Sequence, residues 1–353
     1  MTGLRGRPVR EIGIGVIGVG GIAVQHLEAY RNKGFKVVAG YDVSDAAFAM
    51  IREKFGIKDL FTDLKAFLAL PGIDVLDIAI PHYYDLRKPL FEAVLAAGKP
   101  LFCQKPMAET LDQAITLVSM AEKAGVPFMM HQSALFVPGL IEAGKLLKDP
   151  KRFGEAFYFQ IENRGDLWFT EHPHWGKRDR WIANGMGIHH LALAQHWFGT
   201  PVKVWSMMVK DPTRPYIKGE NLAVFCLEYA SGLRGMIINN WSYRGALTRS
   251  HPREEIIIEG SQGVLSGDIS RLTLKTFEPP AEFSPTIQGD WFPDAFGNAM
   301  EHFLGSLSAG TPFLSTGRDD LWVMAAAEAA YLSAKDSIPV SPEALLRKAG
   351  ALS

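Results

Sequence analysis

The chain has 353 residues, a length that suits two domains of ordinary size. Its 37 Lys and Arg against 38 Asp and Glu leave a net charge of −1, which argues against binding driven by phosphate-backbone electrostatics. With 47% hydrophobic and 21% charged residues the composition is that of a globular protein, not a disordered or fibrous one, and no uncharged apolar run is long enough for a membrane span.

Arg5, Arg7 and Arg10 precede the apolar stretch Ile12 to Val24, which superficially copies the basic and apolar regions of a secretory leader. Gly13, Gly15, Gly18, Gly20 and Gly21 make that stretch a poor membrane-inserting helix, and no small-x-small cleavage site follows before Gln25 and His26. It reads as mature structure, and a cytoplasmic location is expected. Cys103 and Cys226 could form one disulfide at most and are expected as free thiols.

Along the first 150 residues, short apolar runs alternate with helical periods. The runs Ile12–Val19, Phe35–Tyr41, Val75–Ile80, Pro100–Cys103 and Pro127–Met130 predict strands. Between them, helices are predicted near Ile22–Arg31, Asp45–Phe55, Leu64–Leu70, Leu86–Ala97 and Leu111–Ala124, with Gly56, Gly98 and Gly125 where helices should stop. Apolar strands alternating with helices imply a parallel sheet covered on both faces. After Pro150 the texture changes. Phe157–Asn163, Val202–Val209, Leu222–Tyr229, Leu233–Trp241, Glu255–Glu259 and Arg271–Thr276 alternate or are β-branched, with turn signals such as Ala230-Ser231-Gly232 and Gly260-Ser261-Gln262-Gly263 between them. That pattern predicts a mostly antiparallel sheet, hence an α+β second domain. Asp319–Lys335 predicts a long Ala-rich helix capped by Asp319 or Thr316.

Three places carry chemistry. Gly18-Val19-Gly20-Gly21-Ile22-Ala23 is a G-x-G-x-x-A string between an apolar strand and an amphipathic helix. There Gly18 permits a tight turn, Gly20 lets backbone approach a pyrophosphate, Ala23 lets helix and strand pack closely, and the helix start offers free N–H groups. Asp42 ends the second strand about twenty residues on, where a carboxylate accepts bonds from a ribose diol. The alternative is a Gly-rich turn of an unrelated fold; strand, helix, spacing and acid together favour the dinucleotide. Asp42 would repel a 2′-phosphate and Val43-Ser44 offers no arginine, so NAD is expected over NADP.

The second place is Gln104-Lys105-Pro106, directly after a strand, where ligands bind in doubly wound sheets; Lys105 is either a solvated turn residue or a cleft group. The third is Gly185-Met186-Gly187-Ile188-His189-His190-Leu191, a helix start with two histidines and His196 two turns further on. Without an i, i+4 histidine pair or paired carboxylate there, no metal is expected. His172 and His174 flank Pro173 in a loop with Trp168, Phe169, Trp175 and Trp181, which is either a packed loop or a platform for the apolar faces of a sugar.

With these residues in view, the chain resembles the glucose-fructose oxidoreductase / inositol dehydrogenase (Gfo/Idh/MocA) family over nearly its full length. The resemblance lies in the G-x-G-x-x-A turn, in Ala97-Gly98-Lys99 followed by Cys103-Gln104-Lys105-Pro106, which is similar to A-G-K-H-V-x-C-E-K-P, and in Gly187-Ile188-His189, which is similar to the end of D-x-G-x-H. The stretch from Phe303 through Ala334 resembles the family's closing helices. The resemblance implies an α/β Rossmann domain over 1–133, joined by a returning C-terminal helix, and an α+β domain with an open, mainly antiparallel sheet over 134–353, with substrate between them. It implies oxidation of a hydroxyl, or reduction of a ketone, on a sugar, glycoside or cyclitol. Lys105 is then the general acid/base and His189 the second catalytic group. A lysine buried beside a positively charged nicotinamide should be depressed toward neutrality.

Gly18, Gly20, Gly21, Ile22, Asp42, Pro81, His82, Gln104 and Lys105 are expected at the cofactor; Lys105, Gln132, Trp175, His189 and His190 are expected at the substrate. The chain departs from the family at Gln104 (for Glu), at Gly185 and Ala192 (for Asp), in Pro81-His82-Tyr83-Tyr84-Asp85 (for P-N-x-x-H), and in Ser133-Ala134-Leu135-Phe136 (for N-R-R-F). Two other functions remain open at this point: a redox-neutral lyase or glycosidase with tightly held NAD, and a non-catalytic dinucleotide sensor. A small-molecule substrate and a homodimer or homotetramer are expected, with no nucleic-acid or membrane partner.

Overall fold

The structure is a computed structural model that describes residues 3–166, 176–243, 245 and 253–352. It divides into two compact units, Met1–Phe136 with Trp291–Asp320, and Val137–Asp290 with Leu321–Ser353.

In the first unit the apolar runs become strands β1 (Gly13–Ile17), β2 (Lys36–Tyr41), β4 (Val75–Ile78), β5 (Leu101–Gln104) and β6 (Phe128–His131). A short edge strand, β3 (Asp59–Phe61), escapes sequence reading because three residues show no period. All pairings are parallel and the order is β3-β2-β1-β4-β5-β6, the dinucleotide-fold order that reverses between β1 and β4. Every residue of β1, β4, β5 and β6 is buried, as expected for central strands covered on both faces.

The helices of this unit are α1 (Ala23–Lys33), α2 (Phe48–Phe55), α3 (Leu64–Leu68), α4 (Tyr84–Ala96) and α5 (Leu111–Ala124). Their starts are chemically marked. Asp63 accepts from Lys65 and Ala66 N–H, and Thr110 and Gln113 form a capping box. Gly56 and Gly125 close α2 and α5 in the left-handed region, and Gly98 follows the end of α4 in the same conformation.

The second unit carries an eight-stranded sheet built from β7 (Ala156–Arg164), β8 (Lys203–Val209), β9 (Leu222–Glu228), β10 (Arg234–Asn240), β11 (Arg253–Gly260), β12 (Gly263–Gly267), β13 (Leu272–Thr276) and β14 (Ala281–Phe283). Its order is β14-β13-β12-β11-β7-β10-β9-β8, and only β7 with β10 is parallel. In β9 and β10 the inward residues Ala223, Phe225, Leu227, Gly235, Ile237 and Asn239 are buried and their neighbours are not, so one face is covered and the other open.

Helix α6 (Pro138–Leu147) packs on β12 and β13, and the π turn Ile182–Gly187, which runs into α7 (Ile188–Phe198), packs on β9 and β10. Helix α8 (Phe296–Ala309) belongs to the first unit and buries Phe296, Ala299, Met300, Phe303, Leu304 and Leu307 along one face. Helix α9 (Gly317–Asp336) starts with the Thr316 hydroxyl accepting from Asp319 N–H while the Asp319 carboxylate accepts from Thr316 N–H. Both residues named for that cap therefore take part. Helix α10 (Pro342–Lys348) is the last described element. Both cysteines are free.

Candidate active site

The reversal of strand order puts the end of β1 beside the end of β4, and the glycine-rich turn lies there. Gly18 has φ +83°, and a Cβ on it would sit 2.7 Å from Ile80 Cγ2 and 3.1 Å from the Ala79 carbonyl oxygen. Its N–H donates to the Tyr41 carbonyl at 2.7 Å, so only glycine satisfies both the backbone angle and the neighbour. Gly20 is different. It needs no positive φ, and a Cβ there would meet nothing within 4 Å. Nothing in the chain requires glycine at 20, whereas a diphosphate drawn against the backbone does. No side chain caps α1; the Ala23, Val24 and Gln25 N–H groups donate to the carbonyls of Gly20, Gly21 and Ile22, which winds the turn tightly into the helix start that favours an anion. Asp42 accepts from Val19 N–H at 3.0 Å and from Ser44 N–H at 3.3 Å, which ties the acid at the end of β2 to the turn. Open space at Gly20, an uncapped helix start and a carboxylate beside them fit an adenine dinucleotide.

Pro81 and His82 follow β4, and Lys105 follows β5 on the same edge of the sheet. Pro81 is exposed; His82 is buried and stacks on Tyr83 with ring centroids 5.8 Å apart. Lys105 is half-buried, and its N–H donates to the side-chain oxygen of the buried Gln104 at 3.2 Å. The departure from Glu at this position thus keeps the acceptor that holds the lysine's own backbone. Sequence reasoning missed Arg87, which lies fully buried in α4 beneath both loops. The signal was available: Arg87 stands at i of the buried stripe Leu90, Phe91, Val94 and Leu95.

Behind Lys105 is a buried polar layer. His131 stacks on Phe102 at 4.9 Å and meets His26 edge-on at 5.0 Å. Burial foremost, with His26 and Lys105 close by adding to it, holds His131 well below the usual imidazole range. Asp77 accepts from Tyr30 hydroxyl at 2.8 Å and lies 2.8 Å from His26 Nδ1. Gln132, expected at the substrate, is fully buried, and its amide donates to Asp320 at 2.5 Å.

Burial pushes Asp320 up to about 7, against the opposing Gln132 bond. Its folded form therefore holds a proton that the unfolded chain releases near 3.8, so this contribution to stability is complete below about pH 4 and is lost as pH rises through about 7. Asp320→Asn removes that loss, and its new amide has an acceptor in the unpartnered Gln132 Oε1. Denaturant midpoints at pH 5 and pH 8.5 should converge in the variant, with a gain at the higher pH on the order of 3 kcal/mol. An unchanged pH dependence would contradict the assignment.

In the second unit His189 and His190 begin α7 and are both buried. His190 Nε2 lies 2.9 Å from Glu254, Glu254 accepts from Asn163 Nδ2 at 2.7 Å, and Asn163 accepts from Trp241 Nε1 at 2.5 Å. Sequence reasoning passed over Glu254, since it sits in a strand whose alternation alone was visible. At Gly185 a Cβ would stand 3.2 Å from Trp181 Nε1, so the buried Trp181 indole takes the room that an aspartate would need. Trp175, His172 and His174 lie outside the described residues. Among the described residues no group of three His, Cys, Asp or Glu side chains is placed to hold a metal, and no helix is long and apolar enough to cross a membrane.

A doubly wound sheet with a glycine turn at its switch point, in a chain that also carries an open, mainly antiparallel sheet, defines a two-unit, dinucleotide-binding oxidoreductase. Residues 12–132 match the model of the oxidoreductase family with NAD-binding Rossmann fold, and residues 143–266 match the GFO/IDH/MocA C-terminal domain. The chain belongs to the GFO/IDH/MocA family of NAD-binding oxidoreductases, as its motifs and fold class predicted. It is similar to D-apiose dehydrogenase of Paraburkholderia graminis, 29% identical over 350 residues that cover 96% of this chain and 91% of that one. It is also similar to inositol 2-dehydrogenase of Rhizobium meliloti, at 25% identity over 93% of this chain and 98% of that one. An oxidoreductase from Agrobacterium radiobacter, crystallised with NAD+, L-tartaric acid and magnesium, superposes with a TM-score of 0.86 at 26% identity, covering 95% of this chain and all of that one.

Proposed function

We propose that the protein interconverts a hydroxyl and a ketone on a small sugar or cyclitol, with NAD as the coenzyme and Lys105 as general acid/base. The observation that carries this reading is the placement of Lys105 at the carboxyl end of β5, two strands from the glycine turn, with its backbone fixed by Gln104. Bound NAD supplies the hydride acceptor. Gly18, Gly20, Gly21 and Ile22 take the diphosphate, Asp42 takes the ribose diol, and Pro81, His82 and Gln104 border the nicotinamide end. Lys105 accepts the hydroxyl proton in oxidation and returns it in reduction. His189 is the second group at the reacting hydroxyl. Gln132 and His190 act through their buried partners Asp320 and Glu254.

The test is a screen of purified protein with NAD and with NADP against pentoses, hexoses and cyclitols. NADH formation with at least one of them, faster with NAD than with NADP, supports the reading. Product without net NADH would replace it with redox-neutral chemistry, and no turnover with any member would overturn it.

The substrate sheet also bears on assembly. Across its open face Trp205, Cys226 and Met236 stand in register, beside Met207, Val224 and Ile238. Met207 and Val209 are each nearly half exposed, so an apolar patch is presented to water. A second copy of the chain is the occupant that would cover this apolar face. Light scattering should show a homodimer or homotetramer, and Met207→Lys combined with Ile238→Lys should give a monomer. A monomeric parent protein would contradict this.

A further inference from the structure

We propose that Arg87 is the positioning residue for Lys105, holding with a single guanidinium the two loops that border the nicotinamide end of the site. The inference rests on the reading of Lys105 as the proton-transfer group. Arginine has five N–H donors in a rigid fork, and each of them reaches a backbone carbonyl here. Nε donates to Pro81 at 3.3 Å and Nη2 to Ile80 at 3.0 Å, both at the end of β4. Nη2 also donates to Gln104 at 2.7 Å, and Nη1 donates to Pro106 at 2.6 Å and Met107 at 2.7 Å, all at the end of β5. The side chain is fully buried. A charge in that position is tolerated only when its donors are met, and here carbonyl dipoles from both loops meet them.

The consequence for Lys105 is geometric. Arg87 fixes the carbonyl of the Gln104–Lys105 peptide on one side, while the Gln104 side chain accepts the N–H of that same peptide on the other. The Pro106 carbonyl fixes the far flank. The backbone of Lys105 is thus clamped before and after its Cα, so its side chain leaves the sheet edge in one direction. A lysine at 87 has three donors at a single point and cannot span five carbonyls on two loops; a methionine fills the space and holds neither loop.

The test uses the full chain and needs no sugar. Wild type, Arg87→Lys and Arg87→Met are compared for folding by circular dichroism, for NADH affinity by fluorescence, and for acetylation of Lys105 by acetic anhydride across pH. Lys105 acetylation is read by mass spectrometry against the exposed Lys123. In wild type NADH should protect Lys105 about tenfold, because the bound coenzyme and a correctly aimed amine share one space.

In Arg87→Met that protection should fall below about threefold and the midpoint of the acetylation–pH curve should move, with NADH affinity changed no more than about threefold. Arg87→Lys should lie between the two. If the methionine variant does not fold, the lysine variant decides on the same two readouts. Folded variants with wild-type protection and an unmoved midpoint would overturn the role of Arg87. Absence of protection in wild type would overturn Lys105 itself, a separable result.

Discussion

Lys105→Met lowers kcat for any sugar or cyclitol that the protein turns over by about 10²–10⁴-fold, the range for losing a positioned acid/base. Methionine keeps the length and apolar stem of the side chain, so packing under the loop is retained while the amine is lost. Lys105→Arg should fail almost as badly, because a guanidinium does not give up its proton in water. Affinity for NADH should change by no more than about threefold in either variant, since the diphosphate and ribose contacts fall on the glycine turn and on Asp42. Steady-state kinetics paired with NADH fluorescence checks this. A variant that keeps a tenth or more of wild-type kcat would remove Lys105 from the chemistry, and one that loses NADH binding and activity together would recast it as a binding residue.

Gly20→Val separates the reasons for two neighbouring glycines. At position 20 the added side chain meets nothing within 4 Å, so thermal stability should stay near that of wild type. NADH affinity should nevertheless fall by about 100-fold or more, roughly 3 kcal/mol, because the isopropyl group fills the space where backbone meets diphosphate. At position 18 the balance is reversed. There φ is +83° and the new Cβ lies 2.7 Å from Ile80 Cγ2, so Gly18→Ala should lower stability by about 1–3 kcal/mol before any ligand is considered. Melting curves with and without NADH read both effects. If Gly20→Val bound NADH as tightly as wild type, the turn would not be the diphosphate site.

The first unit was largely readable because its signals are local. An apolar run bounded by glycine reads as a buried parallel strand, and a helical period ended by glycine reads as a helix, so β1, β2, β4, β5, β6 and α5 fall close to their predicted ranges. The register of the site followed from the same signals, since Gly18 and Lys105 each come directly after a strand. Residues whose roles depend on distant partners were not readable in this way. Gln132 and Asp320 are 188 positions apart and His190 and Glu254 are 64 apart, and no period in the chain announces either pair. Gln132 and His190 were expected at the substrate because they sit beside recognisable motifs; their burial and their bonds to Asp320 and Glu254 were not visible there. Arg87 shows the opposite case. A charged residue on the apolar stripe of a predicted helix contradicts simple patterning, and such a contradiction marks a buried charge with work to do.

Function in this chain depends on where a dinucleotide binds and what it meets at its reactive end. A crystal structure with NADH measures this directly. The prediction is a diphosphate against the Gly20, Gly21 and Ile22 backbone, an adenosine ribose on Asp42, and the Lys105 amine facing nicotinamide C4 with room for one hydroxyl carbon between them. A dinucleotide bound away from the glycine turn, or a Lys105 amine directed away from C4, would contradict it.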